Sequence, residues 1–136
     1  MKTILLFASL LVCLTACHTG VNKELKQLTV DADSVAINYF KGDGTFDTVV
    51  AVKIIRDKNA INKLSDLVSA TSADPEVKCG YDGSLHFFKR DSVVADIYFR
   101  MNDEHCRLFS FLQEGKLTAT VLSPDAKQFL EQIEKQ

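Results

Sequence analysis

The sequence lacks most of the patterns by which a function is assigned from sequence alone. It holds no run rich in lysine and arginine, which argues against nucleic acid as a partner. It has only two prolines, and no proline-rich tract, glutamine-rich tract or long repeat. It contains no P-loop, dinucleotide fingerprint, H-E-x-x-H motif or G-x-S-x-G motif. These absences argue against nucleotide, metalloprotease and α/β-hydrolase chemistry, and no cofactor is expected.

The chain begins with the layout of a secretory leader. Lys2 provides a positive charge, and an apolar run follows from Ile4 to Leu14. As a helix this run spans only about 17 Å at about 1.5 Å per residue, whereas the hydrocarbon core of a bilayer is roughly 30 Å thick. Residues 1–16 are therefore predicted to be a signal peptide rather than a transmembrane anchor. No later apolar run of the sequence approaches membrane-spanning length.

The end of this leader, Leu14-Thr15-Ala16-Cys17, resembles the lipobox of bacterial lipoproteins. The resemblance is confined to the leader and its cysteine. It implies a diacylglycerol thioether on Cys17, cleavage before that residue and, often, N-acylation of the new amino terminus. Each buried CH₂ contributes about 0.8 kcal/mol, so two or three acyl chains such as palmitate would anchor the protein stably. The alternative is a plain signal peptide with an accidental cysteine.

The residues after Cys17 bear on the location of the protein. Inner-membrane retention of lipoproteins often depends on an aspartate directly after the lipidated cysteine, but this chain has His18 there. The stretch His18-Thr19-Gly20 also differs from the acidic tract that some lineages use for surface export. We therefore expect a cell-envelope protein, lipid-anchored to the outer membrane and facing the periplasm.

Removal of the leader leaves a chain of the size of one domain. The leader contains one lysine and no acidic residue, so its loss changes the formal charge from −2 to −3. Residues 17–30 are predicted to be the lipidated cysteine and a tether, with a reach of about 40 Å over 13 extended residues. A short amphipathic helix over Leu25, Leu28 and Val30 is the alternative. Residues 31–136 are predicted to form a single α+β domain.

Two cysteines, Cys79 and Cys106, remain in the mature chain. An even number of cysteines in a secreted domain indicates a disulfide. A closed loop of about 28 residues gives roughly 3.5 kcal/mol of stabilisation in the chain-entropy description. This is a large share of a typical stability of about 5–15 kcal/mol. A reactive or metal-binding thiol pair is the alternative.

Hydrophobic alternation predicts six strands, over residues 33–40, 48–55, 84–90, 93–101, 106–113 and 117–123. The strand at 48–55 is apolar on both faces, so we expect it in the centre of a sheet. Helical periodicity predicts helices over 60–70 and 124–135. Asp57 or Asn59 is the expected cap of the first helix, and Ser123 followed by Pro124 begins the second.

The element order ββαββββα predicts an α+β fold, an antiparallel sheet of about six strands with both helices packed on one face. Apart from one extra leading strand, this order resembles the TATA-binding-protein-like topology. The resemblance concerns element order alone, and the mild charge argues against DNA binding.

Two groups of residues were considered as metal sites, and no metal is expected at either. Cys79, His86, His105 and Cys106 have poor zinc spacing, because the adjacent His105 and Cys106 would point to opposite faces of a strand. The stretch "GDGTFD" has acidic residues but lacks the spacing of an EF-hand loop. A hairpin turn explains that stretch more simply.

Ser84 and His86 share one face of a predicted strand, with Asp82 and Asp91 nearby in sequence. A serine–histidine contact is therefore geometrically possible. Catalysis requires in addition an oriented carboxylate and an oxyanion hole. Since no nucleophile motif accompanies these residues, no catalytic residue is predicted and the protein is expected not to be an enzyme.

Aromatic residues are concentrated in the predicted strands of the second half. Neighbours such as Phe87 and Phe88 must point to opposite faces of the sheet, and only one face is covered by helices. The predicted binding face carries four aromatic residues, Phe88, Tyr98, Phe109 and Phe111. The alternative is a curled sheet that buries both sets.

These observations favour a membrane-anchored, non-enzymatic module that binds an envelope protein or an apolar ligand. A second hypothesis is a periplasmic enzyme inhibitor, because "KCGYDG" resembles the cysteine region of some lysozyme inhibitors, which are small lipoproteins with a disulfide. A third is a small hydrolase or metal-dependent enzyme around Ser84, His86 and His105.

The lipobox interpretation predicts that Cys17→Ala abolishes fatty-acid labelling of the protein in growing cells. The reason is that the thiol of Cys17 is the proposed attachment point of the lipid. Incorporation of an alkyne-tagged palmitate, followed in gels, measures this. Cys13→Ala is the matched control and is expected to label normally. Labelling that survives Cys17→Ala would contradict the interpretation.

Overall fold

A computed structural model describes residues 20–42, 48–75 and 77–136 of the chain. The predicted leader and Cys17 lie outside the described residues. So do the predicted turn at Asp43-Gly44 and the two acidic residues of "GDGTFD", Asp43 and Asp47.

The described residues form one seven-stranded antiparallel sheet and three helices. The helices are α1 (Lys23–Val30), α2 (Lys58–Ser69) and α3 (Pro124–Glu134). The strands are β1 (Ser34–Phe40), β2 (Val49–Ile55), β3 (Ser72–Ala73), β4 (Gly83–Lys89), β5 (Ser92–Arg100), β6 (Leu108–Gln113) and β7 (Lys116–Val121). Their order in the sheet is β2-β1-β4-β5-β6-β7-β3.

The predicted α+β class and antiparallel sheet are confirmed, and the six predicted strands and two predicted helices are all present. Asp57 caps α2 by accepting a hydrogen bond from the Ala60 amide (2.8 Å). Ser123 caps α3 in the same way through Ala126, with Pro124 in the first turn. The structure adds one short strand, β3, and one helix, α1, to the predicted elements.

The predicted tether is wrong for residues 23–30, which form α1, so the alternative of a short helix is confirmed there. Asn22 caps this helix through the Leu25 amide (3.0 Å). Leu25 is only 3% exposed. The hydroxyl of Thr29 is hydrogen-bonded to the hydroxyl of Ser65 in α2, with 2.6 Å between the two oxygen atoms. A helix of eight residues is marginal alone, and packing against α2 stabilises it. Sequence periodicity within so short a segment could not reveal that packing.

The prediction that β2 lies in the centre of the sheet is also wrong, because β2 is an edge strand. It pairs with β1, with Val35 opposite Ile55, and no described strand lies on its other side. Val50, Val52 and Ile54 are exposed, because alternation along β2 points them to the face of the sheet that the helices do not cover. β-Branched residues favour any strand, and they do not distinguish an edge strand from a central one.

The core lies on the face of the sheet that the helices cover. Cross-strand pairing brings Tyr39 opposite Gly83, and Phe99 opposite both Gly83 and Phe109, so their side chains share this face. The fully buried aromatic residues are Tyr39, Phe87, Phe99 and Phe109. Each large aromatic ring removes about 150–250 Å² from water. This layer therefore supplies much of the hydrophobic stabilisation.

Two hydrogen bonds attach the helices to the covered face. The Tyr39 hydroxyl donates to the Leu130 carbonyl of α3 (2.7 Å), and the Thr120 hydroxyl donates to the Val68 carbonyl of α2 (2.5 Å). Burial raises the pKa of Tyr39 well above its ordinary value, and the negative charge of Glu134 adds to the effect. Tyr39 therefore remains a neutral donor.

The predicted disulfide is present between Cys79 and Cys106, whose Cα atoms lie 5.9 Å apart. Cys79 ends a single 3-10 turn before β4, and Cys106 lies in the connection between β5 and β6. The bond thus joins the segments that enter two strands which are not neighbours in the sheet.

Gly83 lies where the backbone of β1 and the Phe99 ring of β5 closely approach β4. A Cβ atom added there would overlap the backbone carbonyl of Asn38 and the ring of Phe99. The position requires glycine for steric reasons, because the ring of Phe99 occupies the space of a side chain.

We therefore expect Gly83→Ala to lower the free energy of unfolding by about 3 kcal/mol, since a packed ring and a strand must both move. Urea denaturation measures the change. Gly20→Ala is the matched control, because a Cβ atom there meets nothing within 4 Å. Its expected effect is within about 0.5 kcal/mol. Equal stability of the two variants would contradict the close approach.

Candidate functional site

A hydrogen-bonded polar cluster lies on the uncovered face of the sheet. It is formed by Asn38 of β1, Ser84 and His86 of β4 and Asp96 of β5. His86 Nε2 lies 3.0 Å from Ser84 Oγ, and His86 Nδ1 lies 2.5 Å from Asp96 Oδ1. Asn38 Nδ2 lies 3.2 Å from Ser84 Oγ and 3.1 Å from His86 Nε2. The cluster has the order of side chains found in serine hydrolases.

The contact between Ser84 and His86 that their shared strand face makes possible is present, but the carboxylate beside them is neither Asp82 nor Asp91. It is Asp96, which stands directly opposite His86. The two-residue turn at 90–91 alone would place Ala95 opposite His86. A bulge between Phe87 and Phe88 shifts the pairing by one residue and brings Asp96 into position. Nothing in the sequence reveals this bulge.

The other acidic residues near Ser84 in sequence have structural roles. Asp82 is buried and accepts hydrogen bonds from the Met101 amide (2.7 Å), the Asn102 amide (2.9 Å) and Arg100 (2.8 Å). It thereby holds the end of β5. Asp91 lies in the β4–β5 turn with a positive φ of 65°. Neither carboxylate contributes to the polar cluster.

The geometry limits what the cluster can do chemically. Ser84 is only 2% exposed, although a nucleophile must be reached by its substrate. Asn38 also approaches both Ser84 Oγ and His86 Nε2, and so competes for the atoms that a proton relay would use. In the described residues, no hydrogen bond or ion pair joins the side chain of His105 to this cluster. The arrangement satisfies polar groups on a sheet face.

The zinc grouping is not assembled. Cys79 and Cys106 are bonded to each other, which removes both thiolates as metal ligands. Within the ranges that the structure describes, no three His, Cys, Asp or Glu side chains are placed to hold a metal ion.

The four aromatic residues of the predicted binding face separate into two pairs. Tyr98 is 38% exposed and Phe88 is half-buried, and both point to the uncovered face. Phe109 and Phe111 are buried, so the prediction is wrong for these two. The pairing of Phe109 with Phe99 sends it, and Phe111 two residues later, to the helix-covered face.

A cleft opens where β5 and β6 diverge. The two strands pair from Tyr98 to Arg100 only; before Tyr98, β5 pairs with β4 alone, and beyond Ser110, β6 pairs with β7 alone. The cleft has a volume of about 670 Å³. Much of its lining is apolar, with contributions from Leu25, Leu28, Val94, Phe111, Leu112 and Leu117.

Helix α1 forms one wall of this cleft and is attached to β6 by polar contacts. The Asn22 side chain donates to Gln113 Oε1 (2.9 Å), and the Gln113 amide donates to Glu24. Leu28 of α1 is 45% exposed and Leu112 of β6 is 72% exposed, and both side chains line the cleft. This site was not predicted from the sequence, because α1, which forms one of its walls, lies in the segment that was predicted to be a tether.

Comparison with protein-family models, curated proteins and solved structures finds no match to this chain. None of the helices in the described ranges has the length and hydropathy needed to cross a bilayer.

The low accessibility of Ser84 predicts that a fluorophosphonate, which reacts with activated serines, does not modify the folded protein. Intact-mass measurement after incubation detects any adduct. A serine protease treated in parallel shows that the reagent is active. An adduct that maps to Ser84 and disappears in His86→Ala would support the hydrolase alternative instead.

Proposed function

We propose that this protein is a membrane-anchored envelope lipoprotein whose folded domain is a non-enzymatic binding module for an apolar ligand. The observation that carries the proposal is the cleft between α1, β5 and β6. Its volume of about 670 Å³ is within the roughly 300–1,000 Å³ of small-molecule sites, which are also mostly apolar.

Apolar side chains that are exposed in the cleft would be buried by a bound ligand, and this burial would stabilise the complex. Leu28 and Leu112 are in contact with water in the free protein. Full burial of a leucine side chain contributes about 1.5–3 kcal/mol. Since Leu28 is 45% and Leu112 72% exposed, a ligand that covers both would gain about 2–3.5 kcal/mol from them. Micromolar binding requires about 8 kcal/mol in total, so the other apolar residues of the lining must contribute as well.

The proposed lipid on Cys17 would hold this cleft near the membrane. The described residues begin at Gly20, whose carbonyl accepts hydrogen bonds from the Ser72 amide (3.3 Å) and hydroxyl (3.2 Å). Three residue steps separate Gly20 from Cys17, and they span at most about 11 Å. This is far shorter than the predicted 40 Å tether, because most of that segment belongs to α1.

The position of α1 then supports a ligand that comes from the membrane or its surface. The same helix that follows the anchor forms a wall of the cleft through Leu25 and Leu28. An apolar molecule at the bilayer surface would have a short path to the site.

The proposal predicts that Leu112→Gln weakens binding of the neutral probe N-phenyl-1-naphthylamine about tenfold or more. The reason is that the bound probe would no longer bury the side chain of Leu112. Fluorescence titration measures the affinity. The protein used is the mature chain from residue 17 with Cys17→Ser, which carries no lipid and keeps every described residue.

Val52→Gln is the matched control, because Val52 is 56% exposed on β2 and does not line the cleft. We expect the control to bind the probe like the parent chain. If Val52→Gln lost binding and Leu112→Gln kept it, the site would lie at the β2 edge, and the proposal would be wrong.

A further inference from the structure

We infer that the ligand of the cleft is a small amphiphilic cation, an apolar chain or ring that carries an ammonium group. This inference rests on the proposed binding function and adds the charge of the ligand to it. It is based on the charged and aromatic side chains that line the cleft together with the leucines.

The charged residues that line the cleft are all acidic. Glu24 comes from α1, Asp96 from β5 and Glu114 from the β6–β7 turn, so they approach the cleft from three elements. Among the described residues of the lining there is no lysine, arginine or histidine. An anionic ligand would be repelled by all three carboxylates, whereas a cation would be attracted by them.

The negative charge of the three carboxylates is little compensated by neighbouring side chains. Glu24 accepts a hydrogen bond from the neutral side-chain amide of Gln113, and Asp96 is hydrogen-bonded to His86. In the part of the chain that the structure describes, neither Glu24 nor Glu114 forms an ion pair with a lysine or arginine. The cleft therefore combines an apolar lining with an acidic rim, in which only Asp96 has a basic side chain, His86, beside it among the described residues.

Two tyrosine rings beside these carboxylates fit the same ligand. Tyr81 and Tyr98 both line the cleft, and their ring centroids lie 5.0 Å apart. The face of an aromatic ring attracts an ammonium group, and this attraction adds to that of a nearby carboxylate. Asp96 and Tyr98 are neighbours on the same face of β5, which places a carboxylate beside a ring.

The size of the cleft favours a small molecule over a polymer. A volume of about 670 Å³ corresponds to the sites of drug-sized ligands, which bury most of their surface in one cavity. A decyl or aromatic group next to a quaternary ammonium matches this volume and the distribution of polar and apolar groups around it.

The test compares three probes that share a ten-carbon chain: decyltrimethylammonium, decyl maltoside and decyl sulfate. Each is titrated below its critical micelle concentration into the mature chain with Cys17→Ser, and calorimetry gives the affinity. We expect the cation to bind about tenfold more tightly than the neutral probe, and the anion to bind most weakly. Since the acidic rim faces water, we also expect 0.5 M KCl to reduce this preference.

Three substitutions locate the charge effect. Asp96→Asn and Glu114→Gln each remove one carboxylate, and each is expected to weaken binding of the cation about three- to fivefold while leaving the neutral probe unchanged. Asp74→Asn is the matched control, because it removes the same charge from an exposed loop outside the cleft. The Glu114 side chain forms no hydrogen bond or ion pair with the part of the chain that the structure describes, so its substitution separates the charge from the structural role of Asp96.

The outcomes distinguish this inference from the function on which it rests. Equal binding of the three probes, or equal effects of Glu114→Gln and Asp74→Asn, would overturn the cationic ligand and leave the apolar site intact. Absence of binding by all three probes and by N-phenyl-1-naphthylamine would overturn both. Tighter binding of the cation that depends on Glu114 and Asp96 would support both.

Discussion

The early end of the pairing between β5 and β6 is the constraint on which the rest of this structure depends. After three residue pairs the strands separate, and the first half of β5 keeps a neighbour on one side only. Helix α1, which is stabilised by its packing against α2, also contacts β5, and its buried Leu25 lines the space beside that strand. An eight-residue helix is only about 12 Å long. The space that it leaves between itself and the β6–β7 hairpin is the cleft.

Strand pairing determines which side chains lie on each face of the sheet. It places apolar residues on the helix-covered face and polar residues in the centre of the uncovered face. The covered face collects Phe87, Phe99 and Phe109, and these rings form a dry layer under α2 and α3. The uncovered face collects polar side chains in its centre, where His86 and Asp96 are brought together by a one-residue bulge. An arrangement that resembles a catalytic triad thus arises from sheet register. The burial of Ser84 argues for a structural role, because the Ser84 hydroxyl is enclosed by its neighbours.

Much of the fold follows from local patterns that are visible in the sequence. Ser123-Pro124 begins α3, Asp57 caps α2, and alternation identifies each strand of more than two residues, because these features depend on near neighbours in the chain. The disulfide was expected from the number of cysteines and the compartment. Element α1 was not predicted because its stability comes from Ser65 and other residues of α2. The edge position of β2 was not predicted because a strand that is apolar on both faces is typical of a sheet centre, and the sequence does not show which strands pair with it.

The candidate site was only partly visible in the sequence, for a related reason. Tyr98 was identified from alternation, whereas Leu28, Leu112 and the three carboxylates of the rim were not, since they come from elements far apart in the chain. The sequence by itself predicted the six longer strands and helices α2 and α3, because these depend on short-range patterns. It also predicted the paired cysteines from their number, and the lipid anchor stays an expectation. The tertiary structure alone decided which faces are buried, which strand is at the edge and where the cleft opens. These features depend on register and packing between distant segments, which no local pattern encodes.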